Sequence, residues 1–319
     1  SEYRKYFFRY ASEFGFQSFP SVKTLETVTD DPKELNPFSY VMEKHQRNYG
    51  GNGKIAKYMQ AAYRYPENFS DFVYVSQLLQ ADGIRYGVEH YRRNRGRCMG
   101  AIYWQLNDCW PVISWSSIDY YGRWKALHYY AKRFFAPVML SCEEQSWMTV
   151  EADMNRQHFE FEKSIRLNVT NETLDAHRVL VKWAVRKTDA TILREEEQWL
   201  EVPALSAVWM DKVELPQIDC FNEYVSYEAW ENDQIISQGT VIFSYPKYFH
   251  YLNPGLAVRV DGDEIVVKAE AYAKSVEIRN ENDDLILEDN YFDMNAGEYR
   301  VKILDGKPDG LKVRSVYDI

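Results

Sequence analysis

The segment at residues 12–20 places an acidic residue among aromatic ones. Its sequence, Ser-Glu-Phe-Gly-Phe-Gln-Ser-Phe-Pro, sets Glu13 beside Phe14, Gly15 and Phe16. A barrel strand presents its catalytic groups at its C-terminal end, where the strand opens into a loop, and Glu13 fits that position. We therefore predict that Glu13 is not an ordinary surface carboxylate. It is either a catalytic group or an acid held by hydrogen bonds at the end of a strand.

A second segment, at residues 103–111, places tryptophans beside amides and a carboxylate. Trp104 lies close in sequence to Gln105, Asn107 and Asp108. Sugar rings present apolar C–H faces beneath hydroxyl edges, so an aromatic platform with polar neighbours suits them. The alternative is a tryptophan-rich core in which the polar groups cap a turn, and the spacing leaves both interpretations open.

Other kinds of chemistry lack their motifs. The widely spaced cysteines form no C-x-x-C pair and the six histidines show no ligand spacing, so we predict no metal site. Neither G-x-S-x-G nor H-E-x-x-H occurs, which removes support for serine hydrolases and zinc proteases. Residues 48–54 resemble a phosphate-binding loop only superficially, because Asn48 replaces its first glycine and Ile55 its serine or threonine.

The elements around these segments show helical spacing in the first 137 residues. Helices are predicted at residues 53–64, 71–94 and 123–135, with Asp71 as the N-cap of the second. The apolar run at residues 98–104 predicts a short, fully buried parallel strand. Strand, loop and helix in this order are typical of a β/α fold.

Beyond Pro137 the apolar period changes from about 3.6 to 2. Alternating residues at 165–169 and 179–185, and further runs to residue 243, predict an antiparallel sandwich. Five or six shorter strands, separated by turn signals such as Asp261-Gly262, predict a second and smaller sandwich over the last part of the chain.

Composition limits the classes of partner. The 319 residues suggest two or three domains, and the net charge of −10 disfavours binding to nucleic acid or an anionic membrane. The longest stretch free of charged residues, 234–246, is shorter than the roughly 20 residues of a membrane-spanning helix. We therefore predict neither a nucleic-acid nor a membrane partner.

Three segments resemble the β-mannosidases of glycoside hydrolase family two. The first is residues 12–20, and the second is Leu-Leu-Gln-Ala-Asp-Gly-Ile-Arg-Tyr-Gly-Val-Glu-His at residues 78–90. The third begins Met-Gly-Ala-Ile-Tyr-Trp-Gln-Leu-Asn-Asp-Cys-Trp-Pro at residue 99 and continues to residue 130. The resemblance is dense across residues 1–137, weakens through 138–247 and recovers in the final domain.

This resemblance implies both a fold and an activity. Residues 1–137 would be the C-terminal part of a catalytic TIM (β/α)8 barrel, followed by two all-β immunoglobulin-like sandwich domains at 138–247 and 248–319. The implied activity is retaining exo-hydrolysis of terminal β-linked mannose, without a metal or an organic cofactor. Glu13 would be the nucleophile and Trp104 the floor of the sugar subsite, with Asn107 and Asp108 as candidate contacts to sugar hydroxyls.

The resemblance also implies that one catalytic group is missing. Retaining hydrolysis needs two carboxyl groups about 5–5.5 Å apart, and the family's acid/base is the Glu of an Asn-Glu pair well upstream of the nucleophile. The three such pairs here, at residues 171–172, 222–223 and 280–281, lie in sandwich sequence. We therefore expect the acid/base in an upstream part of the same polypeptide, and this chain alone to be inactive.

Two alternatives stay open at this point. The first is another activity of the same family, namely β-galactosidase, β-glucuronidase or exo-glucosaminidase, although the Trp-Gln-Leu-Asn-Asp-Cys-Trp-Pro run favours mannosidase. The chain could instead be a non-catalytic carbohydrate-binding or scaffolding fragment. The compartment is open too, since the family is lysosomal in animals and cytoplasmic or periplasmic in bacteria.

Overall fold

The computed structural model describes residues 2–150 and 160–319. These residues divide into two compact units. The first comprises the described parts of residues 1–12, Arg85–Ile102 and Lys132–Tyr251. The second comprises Glu13–Ile84, Tyr103–Ala131 and Leu252–Ile319, and it contains all four candidate site residues of the sequence.

The α-helices of the described residues all lie before residue 135. They are α1 Val22–Leu25, α2 Tyr40–Lys44, α3 Gly51–Ala62, α4 Phe69–Arg93 and α5 Ala126–Phe134, with 3-10 turns at Glu2–Lys5, Pro32–Glu34 and Val316–Asp318. The three helices predicted from apolar spacing are confirmed as α3, α4 and α5, with ends shifted by up to three residues. Within the described ranges, no helix is both long enough and apolar enough to span a membrane.

The N-terminus of α4 differs from the prediction. The side-chain oxygen of Asn68 accepts a hydrogen bond from the backbone N–H of Asp71 at 3.0 Å, so Asn68 is the capping residue and Asp71 lies in the first turn. The Asn68 amide also donates to the Asp71 carboxylate at 2.6 Å. The predicted cap at Asp71 is therefore wrong, because the asparagine three residues earlier satisfies the free N–H group.

Strands β1 (Ala11–Phe14) and β2 (Ala101–Tyr103) form a two-stranded sheet. Around it, hydrogen bonds join Met99 N–H to the Arg9 carbonyl and, further along, Trp104 N–H to the Phe14 carbonyl at 2.8 Å. The partners advance along both segments in the same direction, as in a parallel pair. The prediction of full burial is wrong: β2 pairs with β1 alone in the part of the chain that is described, and Ile102 is 49% exposed.

The first unit contains an antiparallel sandwich. Its strands are β3 Val138–Gln145, β4 Ser164–Asn171, β5 His177–Lys187, β6 Ile192–Val202, β7 Ser206–Trp209, β8 Val213–Glu214, β9 Glu223–Glu231 and β10 Gln234–Ile242. One sheet has the order β10-β9-β5-β6; the other has β3-β4-β7, with β8 also paired to β4. Val179, Val181 and Trp183 of β5 alternate into the shared core, which confirms the period-2 prediction.

The second unit contains a smaller sandwich. Its strands are β11 Ala257–Asp261, β12 Glu264–Ala269, β13 Ala273–Arg279, β14 Ile286–Leu287, β15 Phe292–Met294, β16 Gly297–Asp305 and β17 Lys312–Arg314. They form one sheet in the order β11-β12-β16-β14 and another in the order β15-β13-β17. Residues 252–319 thus have seven strands in the structure, where the sequence predicted five or six.

Candidate active site

Glu13 is the third residue of the four-residue strand β1, next to its C-terminal end. This is the position that the sequence predicts for a catalytic group. The side chain is exposed, however, and no hydrogen bond or ion pair joins its carboxylate to any described residue. The alternative of an acid held by hydrogen bonds therefore has no support in this structure, and the carboxylate is accessible to a ligand.

Two segments meet at the end of β1. We call residues 12–20 the site segment and residues 104–117 the tryptophan loop. The Trp104 N–H donates to the carbonyl of Phe14 at 2.8 Å, so Trp104 is bonded to the residue that follows Glu13. Half of the Trp104 side chain is exposed, at 50% relative accessibility, and its peptide bond to Gln105 is cis.

Gly15 permits this close approach. A Cβ atom at this position would overlap the carbonyl oxygen of Trp104 and would lie 2.8 Å from Cδ1 of Trp115. Real Cβ atoms do not come so close to other heavy atoms, so any larger residue would force the two segments apart. The glycine of the Ser-Glu-Phe-Gly motif thus sets the distance between β1 and the tryptophan loop.

Asn107 and Asp108 differ in their surroundings. Asn107 is exposed. Asp108 is buried, and its two carboxylate oxygens accept hydrogen bonds from Ser114 Oγ at 2.8 and 2.9 Å and from Gln105 Nε2 at 3.2 Å. Ser116 Oγ also donates to it. The Asp108 carboxylate therefore braces the tryptophan loop from inside.

Sequence reasoning missed a glutamine that joins the two segments. Gln80 of α4 is fully buried, and its Nε2 donates to the carbonyl oxygens of Phe16 at 2.8 Å, Trp115 at 3.0 Å and Ser116 at 3.3 Å. Its Oε1 accepts from Ser18 Oγ at 2.7 Å. The available signal was a polar residue on the apolar face of a long helix, where an amide must find partners.

Lys125 is a second residue that sequence reasoning missed. It precedes α5 and is 1% exposed. Its Nζ donates to the carbonyl oxygens of Ser18 at 3.3 Å and Ser114 at 3.5 Å, one in each segment. No described carboxylate forms an ion pair with it. Within the described ranges, no cluster of three or more His, Cys, Asp or Glu residues could hold a metal ion.

Both sandwich domains match known protein families. Residues 163–248 match the model of a mannosidase Ig/CBM-like domain, and residues 251–319 match that of an Ig-fold domain. The two all-β domains are therefore Ig-like.

Similar proteins extend over most of the sequence. The β-mannosidase B of Thermothelomyces thermophilus is 30% identical over 337 residues, which cover 97% of this chain and 39% of that protein. The β-mannosidase of Capra hircus is 39% identical over 144 residues, covering 41% of this chain and 16% of the relative. The crystal structure of a β-D-mannosidase from Dictyoglomus thermophilum matches with a TM-score of 0.83 and 25% identity, covering 98% of this chain and 38% of that one.

The chain spans less than two fifths of the length of these three proteins. The matches to the Thermothelomyces thermophilus and Dictyoglomus thermophilum proteins cover 97% and 98% of the chain, so they extend over more than the two Ig-like domains. The chain is therefore similar, over most of its length, to part of the β-mannosidases.

Proposed function

We propose that the complete protein containing this chain is a retaining exo-β-mannosidase, with Glu13 as its nucleophile. The observation that carries the proposal is the exposed carboxylate of Glu13 at the C-terminal end of β1, which has no hydrogen-bond partner among the described residues. The next residue, Phe14, accepts a backbone hydrogen bond from Trp104, whose side chain is half exposed. Three β-mannosidases with similar sequences or structures support the choice of substrate.

The chemistry would be a double displacement. A Glu13 oxygen attacks the anomeric carbon of a terminal mannose while the bond from that carbon to the leaving oxygen breaks, and an acid protonates the leaving group. Water then attacks the glycosyl-enzyme, releases mannose and restores the carboxylate. The exposed indole of Trp104 would support the apolar face of the sugar, with Asn107 as a candidate contact to its hydroxyl groups.

The acid/base is proposed to lie outside these 319 residues. The Asn-Glu pairs within the chain have other surroundings. Glu172 accepts a hydrogen bond from Arg95 at 3.0 Å, and Glu223 accepts from the backbone N–H of Asp219 at 3.0 Å. Glu281 follows β13 of the small sandwich, where its N–H donates to the Asp309 carbonyl at 3.1 Å.

The domain division is part of the same proposal. Residues 1–137 would belong to a TIM (β/α)8 barrel, residues 138–247 to the first Ig-like domain and residues 248–319 to the second. The parallel register of β1 and β2 supports the barrel assignment, since parallel strands with helices between them build such a barrel. The upstream part of the same polypeptide would supply the remaining strands.

The proposal is tested by trapping the intermediate. The complete protein is incubated with a 2-deoxy-2-fluoro-β-mannosyl fluoride, and mass spectrometry locates the added sugar, which we expect on the peptide that contains Glu13. Glu13→Gln should remove nearly all turnover of an aryl β-mannoside, because the amide keeps the shape but cannot attack as an anion. Glu67→Gln, at an exposed glutamate, is the matched control.

Each other outcome names a different alternative. If the fluorosugar is found on another carboxylate, that residue and not Glu13 is the nucleophile. Turnover of aryl β-galactosides, β-glucuronides or β-glucosaminides in preference to the mannoside would assign another activity of the family. Binding of mannosides without any turnover would favour a carbohydrate-binding protein.

A further inference from the structure

Lys125 lies where the site segment and the tryptophan loop are joined. The backbone N–H of Ser18 donates to the Ser114 carbonyl at 3.0 Å, and the Lys125 ammonium group donates to the carbonyls of the same two residues. The backbone N–H of Lys125 donates to the backbone carbonyl of Ser117 at 2.9 Å, so the Lys125 backbone is itself bonded to the tryptophan loop. One buried side chain thus bonds to both segments that carry Glu13 and Trp104.

Among residues 2–150 and 160–319, no carboxylate forms an ion pair with the Lys125 ammonium group. The two acids that attract it are Asp108 and Asp119, and both are bonded to other groups. The Asp108 oxygens accept from Gln105 and from the two loop serines. Asp119 accepts from Thr24 and from the backbone N–H groups of residues 121 and 123. Burial of an ammonium group without an ion pair is unfavourable, so packing alone does not explain a lysine here.

We propose that Lys125 is a positioning residue of this active site, whose ammonium group holds the carbonyls of Ser18 and Ser114 and so sets the separation between Glu13 and Trp104. The inference rests on the proposed function of Glu13. The bonds to Ser18 and Ser114 are long, at 3.3 and 3.5 Å, so their strength depends on the charge of the donor, and an ammonium group is a stronger donor than a neutral amine. Loss of the Lys125 proton would therefore loosen the two segments while leaving both in place.

Other ionisable groups also lie around Lys125. Desolvation lowers the pKa of Lys125 to about 8, although Asp108 and Asp119 oppose the shift. Lys125 also borders a small cavity of about 50 Å³, whose charged lining comprises Arg123, Arg279, Arg314, Glu277 and Asp283. Burial raises the pKa of the Asp283 carboxyl above its usual value of about 4. Burial also raises the pKa of the Tyr129 and Tyr291 hydroxyls above their usual value of about 10. Of these groups with a shifted pKa, Lys125 is the one whose pKa lies just above neutrality.

Stability and activity should then respond in opposite directions to pH. The pKa of Lys125 lies below the usual value of about 10.4, so between about pH 8 and 10.4 the unfolded chain binds more protons at this residue. Deprotonation of the folded protein in that window raises the contribution of Lys125 to stability. The same deprotonation weakens the two carbonyl bonds and lowers activity. A purely structural lysine would not give this combination.

The experiment measures kcat and KM of the complete protein from pH 6 to 9.5 with 2,4-dinitrophenyl β-mannoside, together with the melting temperature at each pH. This leaving group needs no protonation, which removes the general acid from the pH profile of kcat/KM. In the wild type we expect kcat/KM to fall above about pH 8 without a fall in melting temperature. Lys125→Met should lower kcat about 10- to 100-fold at pH 7, with little change in KM and no alkaline decrease.

Two further variants complete the test. Lys125→Arg keeps a charge that is not lost in this range, so the decrease above pH 8 should disappear. Lys57→Met, at an exposed lysine of α3, should behave as the wild type. A wild-type profile that stays flat to pH 9.5, or a Lys125→Met variant with unchanged kcat and an unchanged alkaline decrease, would overturn the inference even if both Lys125 variants fold poorly. Failure of the proposed function itself would appear separately, as an active Glu13→Gln.

Discussion

The two compact units bury their charges in different ways. In the first unit, two buried arginines form ion pairs: Arg4 contacts Glu144 at 2.8 Å, and Arg93 contacts Glu89 at 3.5 Å. Arg92 of the same unit instead donates to the neutral carbonyl of Phe134 at 2.7 Å. Around the candidate site of the second unit, buried charges are bonded to neutral groups. The Asp108 carboxylate accepts from hydroxyl and amide groups, and the Lys125 ammonium donates to backbone carbonyls.

The two kinds of partner have different consequences, one for the stability of a domain and the other for the position of its chain segments. Removal of one partner of a buried ion pair leaves an uncompensated charge, so such a pair bears mainly on the stability of its domain. A side chain bonded to two carbonyl groups orients the chain segments that carry them. The small sandwich returns to the first pattern, since Arg314 pairs with Glu277 and, at 2.9 Å, with Asp71. Beside Glu13 and Trp104, the described partners of the Asp108 carboxylate and of the Lys125 ammonium group are all neutral.

The largest effect on stability is expected from breaking a buried pair of the first unit. Arg4→Met leaves the Glu144 carboxylate, whose side chain is 3% exposed, without its ion-pair partner, and it also removes the hydrogen bond that Arg4 donates to the Glu144 backbone carbonyl at 3.0 Å. Loss of one partner of a buried pair typically costs about 3–5 kcal/mol. Chemical denaturation measures the free energy of unfolding, and the folded fraction should keep its specific activity.

The double variant Arg4→Met/Glu144→Leu is the control for that prediction. It removes both charges, so much of the lost free energy of unfolding should return. Equal losses in the single and the double variant would show that packing rather than charge explains the effect. Although burial by itself raises it, contact with Arg4 leaves the pKa of Glu144 lowered, so this pair should stabilise at neutral pH and lose its contribution as the pH falls below about 4.

Two tryptophans make the next comparison. Trp104 is 50% exposed beside the site, whereas Trp183 is 3% exposed in the core of the first sandwich. Trp104→Ala should lower kcat/KM by about a hundredfold with a small change in the unfolding midpoint. Trp183→Ala should instead lower the free energy of unfolding by about 3–5 kcal/mol. A collapsed midpoint for Trp104→Ala, with normal activity in the folded fraction, would return that residue to the core interpretation.

Sequence patterns predicted elements well where one face is buried. The alternation over residues 179–185 marked β5, and helical spacing marked α4. The pattern failed for β6, whose first eight residues, Ile192 to Trp199, are all exposed. An edge strand that is exposed on both faces carries no alternation, so only its pairing with β5 identifies it.

The site was predictable only in part for a related reason. Glu13 and Trp104 stand in short motifs whose residue types suggest sugar chemistry, and the sequence placed both correctly at strand ends. Gln80 and Lys125 are separated from those motifs along the chain, and their partners are backbone carbonyls. Carbonyl groups exist at every residue, so no side-chain spacing indicates which ones a buried amide or ammonium group will bind.

A smaller effect is expected at Gly15. Gly15→Ala places a methyl group against the Trp104 carbonyl and the Trp115 ring, so the two segments must separate. We expect a loss of about 1–3 kcal/mol in stability and about a tenfold fall in kcat/KM, measured by denaturation and steady-state kinetics. Gly53→Ala in α3 is the control, because a Cβ there meets nothing within 4 Å and alanine favours a helix. Equal behaviour of the two variants would remove the steric argument.

The smallest effect is expected from an exposed ion pair, which is the counterpart of Arg4. Arg300 of the small sandwich contacts Asp261 and Glu264 at 2.7 Å each, shorter distances than that of the Arg4 pair, but all three side chains are at least one third exposed. Water solvates these charges when the contacts are lost, so the contact distance alone does not predict how much the ion pairs contribute to the free energy of unfolding. Arg300→Gln should leave the unfolding midpoint unchanged within error at physiological salt. At low salt, where exposed charges are less screened, a small decrease in the midpoint is expected. A loss as large as that of Arg4→Met would show that burial is not what distinguishes the two pairs.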